Sequence, residues 1–178
     1  ENMLGTKCDL HIIPMQGWKR SMRFYDTGLP WVLTSPHIPY MQSAEYYPST
    51  GVLGELGVMS IGVGYTIPFQ TYAHEMFDAE KVANALNALQ LAGVTFRPIH
   101  YKPYYGYGKD KNLNGVQLFF TDYSLARLSE TQFYMMQVVK QLYPDFGIFT
   151  TENASRWNMF DKVCGTDYIR KQLIENVY

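Results

Sequence analysis

Hydrophobic positions recur along this chain in short, distinct patterns. Val82, Ala85, Leu86 and Leu89 fall at i, i+3, i+4 and i+7 behind Asp78, which predicts a capped helix running to about Leu91 and stopped by Gly93. Met135, Val138, Val139 and Leu142 repeat that stripe behind Ser129, so a second helix capped by Ser129 should end at Pro144. A third is predicted from Thr166, with Ile169, Leu173 and Val177 on one face and Gly165 before it. Strand-like runs are Cys8–Met15, Val58–Tyr65, Thr95–Tyr101 and Gly115–Thr121. Gly62 and Gly64 mark the second run as bulged or closely approached by backbone. Pro30, Pro36, Pro39 and Pro48 make a long element before Tyr40 improbable, and Met41, Ala44, Glu45 and Tyr46 permit one or two helical turns. Strands interspersed with helices predict an α/β domain, or its α+β variant. The sheet is expected to be mixed, with about four or five strands and helices packed on it.

Composition narrows the function classes. The 178 residues are 47% hydrophobic and 17% charged, which suits one folded domain over 1–178. A net charge of -1 offers no field to gather nucleic acid, so no nucleic-acid partner is expected. No window approaches the roughly 18 consecutive apolar residues of a membrane span, and the first residues lack the form of a signal peptide. The two cysteines, Cys8 and Cys164, are too few for a disulfide scaffold or metal knuckle, and their pairing depends on geometry. Aromatic residues are 16% of the chain, with Tyr at 15, a bias that suits either polar-tethered packing or a pocket for amphipathic ligands such as sugars.

Several motifs fail on spacing. Where a zinc-protease motif beginning at His74-Glu75 needs its second histidine, Asp78 stands. Ser60 misses the nucleophile-elbow spacing, and Gly62-Val63-Gly64 lacks the third glycine and basic residue of a phosphate loop. The four histidines stand far apart, so neither metal nor cofactor is implied by any motif. Asn153-Ala154-Ser155 matches a glycosylation sequon, a frequent chance match. Met41, Met59, Met135, Met136 and Met159 suit core filling.

One constellation is more specific. Pro30-Trp31, Thr34-Ser35-Pro36-His37-Ile38-Pro39, Tyr47-Pro48-Ser49-Thr50-Gly51, and Pro68-Phe69 after Gly62-x-Gly64 occur in that order, with Gly93-Val94-Thr95-Phe96-Arg97-Pro98 and Gly115-Val116-Gln117 following. Together with Lys7-Cys8-Asp9-Leu10 and Gly17-Trp18-Lys19-Arg20, they make nearly the whole chain resemble the C-terminal half of the DUF1343 family of NamZ-like exo-β-N-acetylmuramidases. The resemblance implies a bacterial, periplasmic or extracellular glycoside hydrolase that removes N-acetylmuramic acid from peptidoglycan fragments. It also implies that this chain is the smaller C-terminal domain, forming a cleft with a Rossmann-like N-terminal domain that these residues lack and that supplies a further carboxylate. The family's Glu-Gly-Thr-Asn and Gly-Arg-Gly-Thr correspond here to Glu55-Leu56-Gly57-Val58 and Gly62-Val63-Gly64-Tyr65, so Val63 replaces an arginine able to hold a carboxylate.

Glycosidic hydrolysis uses two carboxyl groups about 5 to 9.5 Å apart. Among Glu45, Glu55, Glu75 and Asp78, the last reads as a helix cap and Glu45 as solvated, leaving Glu55, in a glycine-rich segment, as the catalytic candidate. Substrate-binding candidates are Ser35, His37, Tyr47, Tyr65, Gln70 and His74, with Tyr104, Tyr105 and Lys109 of the Tyr-rich loop that joins two predicted strands. A non-catalytic glycan-binding domain and a structural or interaction domain remain the alternatives.

Overall fold

The computed structural model describes residues 9–175, which form two compact units divided between Trp31 and Val32. In the first, a short 3-10 turn at Phe24–Thr27 is closed by Asp26, whose Oδ2 accepts the Arg23 N–H at 2.8 Å, and Phe24 meets Trp31 edge-on at 5.0 Å. The strand expected over Cys8–Met15 does not form in its described part, 9–15, where Leu10, Ile12, Ile13 and Met15 are exposed. Backbone there meets no neighbouring strand among the described residues, and extended chain without a ladder is not sheet. Cys8 lies outside the described residues, and with it the question of pairing to Cys164.

The second unit is built on helix α1, Met41–Leu56. The one or two turns expected before Pro48 continue straight through it into a 16-residue helix. Pro48 removes one backbone donor, yet Tyr46, Ser49, Thr50, Leu53 and Leu56 are all buried, so packing around much of the circumference outweighs the local cost. Gly57 ends it in the left-handed region at φ 65°, its N–H bonded to the Gly54 carbonyl at 3.1 Å.

The sheet has three strands, β1 Thr71–His74, β2 Val94–Tyr101 and β3 Leu113–Phe120, in the order β1-β3-β2. It is antiparallel throughout, with Thr71 and Arg97 both opposite Gln117, so the mixed sheet of four or five strands is corrected while the α/β class stands. Two of the runs expected to be strands dropped out. In Val58–Tyr65 only Ser60 pairs, bridging to Ala73, because Gly62 and Gly64 turn the chain at φ 87° and 91°. β1 is the strand that patterning missed; its four residues are all buried and carry no alternation.

Helix α2, Ala79–Ala88, packs on β2 and β3, and Asp78 caps it by accepting the Lys81 N–H at 3.0 Å. Tyr72, Phe96, Val116 and Leu118 from the sheet meet Val82 and Leu86 in the main core. The other sheet face forms a smaller cluster of Ala73, Tyr101 and Leu113 beneath Tyr65 and Tyr107. Helix α3, Thr131–Leu142, starts later than expected, after a 3-10 turn at Leu128–Glu130. Ser129 lies in that turn and serves through its carbonyl, accepting from the Gln132 side chain at 3.1 Å, rather than as a cap. An unforeseen helix α4, Ala154–Cys164, buries only Phe160 fully and so shows no broad apolar stripe. Helix α5 is Tyr168–Glu175, and Thr166 precedes it, its hydroxyl accepting the Tyr168 N–H at 3.1 Å; Val177 lies outside the described residues. Of the methionines, Met59, Met135 and Met136 are buried core, Met41 is half-buried and Met159 is 48% exposed on α4.

Candidate functional site

Three glycines on α1 and its end, Gly51, Gly54 and Gly57, share a spacing of three and present no side chains along one strip of the helix. The strip opens a cleft of about 480 Å³. Tyr47 and Glu55 of α1, Ser60, Ile61 and Val63 of the following turn, Phe69, Tyr107 and Arg156 also line it. Glu55 is therefore half-buried on the last turn of a helix, not in the glycine-rich loop the sequence implied. It is the one carboxylate lining the cleft among the described residues, and Arg156 the one cation.

Two rings frame the cleft. Tyr47 packs edge-on to Phe69 at 4.8 Å. Tyr107 is half-buried beside His74 at 5.9 Å between ring centres, and burial, aided by the nearby Glu75 charge, pushes its hydroxyl up to about 12. At neutral pH that hydroxyl is a permanent donor. The walls hold together through close backbone approach: a Cβ on Gly64 would stand 1.8 Å from the Tyr105 carbonyl, so the turn after Ser60 and the Tyr-rich loop meet only because Gly64 is glycine.

The other candidates divide among neighbouring places. Tyr65 stacks on Tyr101 at 4.8 Å and on Tyr104 at 6.3 Å, facing separate shallow hollows. Tyr105 bonds His37 Nδ1 through its hydroxyl at 3.1 Å, while the Ser35 hydroxyl accepts the His37 N–H at 3.3 Å, so these three form a local knot. Gln70 is committed between the Tyr40 hydroxyl at 3.1 Å and Gln117 at 3.2 Å. His74 sits in a cage of Phe77, Phe146 and Tyr107, its Nδ1 accepting the Met76 N–H at 3.1 Å, and burial holds its pKa below the usual 6.5. Lys109 is exposed. Of the predicted set, only Tyr47 and Glu55 share the cleft.

Sequence reading missed Arg156 and singled out Tyr104 and Tyr105 where Tyr107 lines the cleft. No local signal could have found Arg156, because α4 itself was not foreseen. The sequon Asn153 is already employed: its Nδ2 donates to the Ile148 carbonyl at 2.7 Å and its Oδ1 accepts from Trp157 at 2.8 Å. Among the described residues no His, Cys, Asp and Glu group could hold a metal, and no helix is long and apolar enough to cross a membrane.

Residues 45–177 match the family described as exo-beta-N-acetylmuramidase NamZ, C-terminal. The chain belongs to the NamZ (DUF1343) family. Residues 1–42 match the corresponding N-terminal description. The peptidoglycan beta-N-acetylmuramidase NamZ of Bacillus subtilis (strain 168) is 36% identical over 169 residues, covering 94% of this chain and 39% of that protein. A DUF1343 family crystal structure from Bacteroides fragilis NCTC 9343 superposes with a TM-score of 0.93 at 51% identity, over 99% of this chain and 46% of its own. A second DUF1343 structure from that organism, at 21% identity and TM-score 0.53 over 81% of this chain and 36% of its own, shares the fold. The chain thus spans less than half the length of these NamZ-family relatives.

Proposed function

We propose that this chain is the substrate-side domain of a glycoside hydrolase that acts on peptidoglycan fragments, releasing N-acetylmuramic acid. The observation that carries the reading is the cleft itself: a family member places a half-buried glutamate, two tyrosine rings and a guanidinium around one sugar-sized space. Rings supply a flat apolar wall for a pyranose face, and Glu55 supplies one of the two carboxyl groups that glycosidic cleavage uses. In this reading residues 45–177 correspond to the C-terminal domain and residues 1–42 to part of the N-terminal one, whose Rossmann-like body in the same protein supplies the second carboxylate.

A second reading has its own observation. Glu55 is the one carboxylate lining the cleft among the described residues, so the domain by itself has the composition of a glycan-binding site without hydrolysis. The two separate in one experiment, release of free N-acetylmuramic acid from a muramyl-glucosamine disaccharide by this chain and by the full-length gene product. Release by the longer protein alone supports a shared cleft. Release by neither, with the disaccharide still bound, favours binding without cleavage.

A further inference from the structure

Arg156 stands in the first turn of α4 and reaches the end of α1, where its Nη1 donates to the Glu55 carbonyl at 3.2 Å. That carbonyl is among the last of α1, which have no donor within their own helix, so a cation there is doubly favoured. A Cβ on Gly57 would lie 3.2 Å from Nε and 3.3 Å from Cζ, and the positive φ of Gly57 already demands glycine. The helix end thus makes room for the guanidinium beside the cleft.

Among the described residues, the Glu55 carbonyl is the one hydrogen-bond partner of the Arg156 guanidinium and no acid pairs with it. Contrast Arg170, which spends its guanidinium on Asp161 at 2.8 Å and lies over Trp157. An arginine anchored by one N–H retains donors in a fixed planar fork, the geometry that recognises a carboxylate. Val63, which lines the same cleft, brings no charge, so Arg156 is the group there that can discriminate an anion from a neutral ligand.

We infer that Arg156 reads the carboxylate of an acidic sugar bound in this cleft, with Tyr47 and Tyr107 against the ring. The inference rests on the glycan reading above and adds to it the residue that sets preference for the acid. Its test is equilibrium binding of N-acetylmuramic acid, which bears a carboxylate, and N-acetylglucosamine, which has the same ring without it, to the full-length gene product. The unaltered protein should bind the acid roughly ten- to a hundredfold more tightly, the span expected for a charge-assisted contact. Arg156→Gln should erase that preference by weakening the acid tenfold or more while N-acetylglucosamine affinity shifts far less, and Arg156→Lys should restore part of it. An undiminished preference in Arg156→Gln overturns the inference. So does loss of both sugars together, which would make Arg156 a cap that only shapes the cleft, and so does equal binding of both sugars by the unaltered protein. If the unaltered protein binds neither sugar, the glycan reading itself falls.

Discussion

Gln132 Oε1 accepts the backbone N–H of Leu53 at 3.1 Å, although one lies on α3 and the other in the last turn of α1. The same amide donates to the Pro48 carbonyl at 3.0 Å, and the Tyr72 hydroxyl donates to the Ser49 carbonyl. Side chains from two other elements thus bond main-chain groups of α1 from Pro48 to Leu53, on the C-terminal side of the proline. These bonds hold the part of α1 that follows Pro48 and carries Glu55 to the cleft. Gln132 is wholly buried, so its loss cannot be repaired by water.

Gln132→Leu should therefore destabilise the fold by about 1–3 kcal/mol, the cost of leaving the buried Leu53 N–H without a partner. Urea unfolding should show the loss as a lower midpoint at unchanged slope. An effect below about 0.5 kcal/mol, the range of ordinary surface changes, would mean that α1 closes its own ladder there.

Gly54 has a different sensitivity. A Cβ there would stand 2.5 Å from Ile61 Cδ1, the far end of a flexible side chain that lines the same cleft. Gly54→Ala gains about 1 kcal/mol of helix propensity, which offsets the displacement of Ile61, so stability should change by less than about 1 kcal/mol. The cleft changes shape all the same, and sugar affinity should fall severalfold in a titration. Unaltered affinity would place the sugar away from the glycine strip.

What the sequence made legible follows from how each element is held. α2 and α3 bury one face each, and β2 and β3 are β-branched and aromatic runs bounded by glycine and polar residues, so their signals are local and readable. α1 is buried over much of its circumference and contains Pro48, and its continuity depends on Gln132 and Tyr72, which lie far along the chain. β1 is held by β3 rather than by a pattern of its own. The candidate site was legible where it lies on one element, at Tyr47 and Glu55. Arg156 comes from a helix over a hundred positions away, and only the fold puts it beside them.

His74 should give the protein an acid sensitivity above the carboxylate range. Burial holds its folded pKa below 6.5, so between the folded value and 6.5 the unfolded chain binds more protons and stability rises with pH. Acidification should erode stability from just below pH 6.5 down to the folded pKa, before Glu75, whose pKa is lowered by its Lys111 bond, begins to contribute below about 4.5. Urea midpoints measured from pH 7.5 to 5 should decline in the unaltered protein and stay flat in His74→Gln. A parallel decline in both would assign the sensitivity to other groups.

Glu55→Gln distinguishes hydrolysis from binding at the same residue. Glu55 lies in the last turn of α1 and is half-buried, so an isosteric amide should leave the thermal midpoint within a few degrees. If Glu55 transfers a proton or meets the reacting carbon, the full-length gene product should lose roughly 10²–10⁴-fold in turnover while KM changes little, because the lost interaction is made only in the transition state. If Glu55 merely holds a sugar hydroxyl, KM should rise and turnover persist. Tyr107 sharpens the comparison, since its hydroxyl stays protonated up to about 12 and cannot replace the missing carboxylate as a base near neutral pH. Retained turnover with an unchanged KM would remove Glu55 from the site and leave the cleft to Arg156 and the two rings.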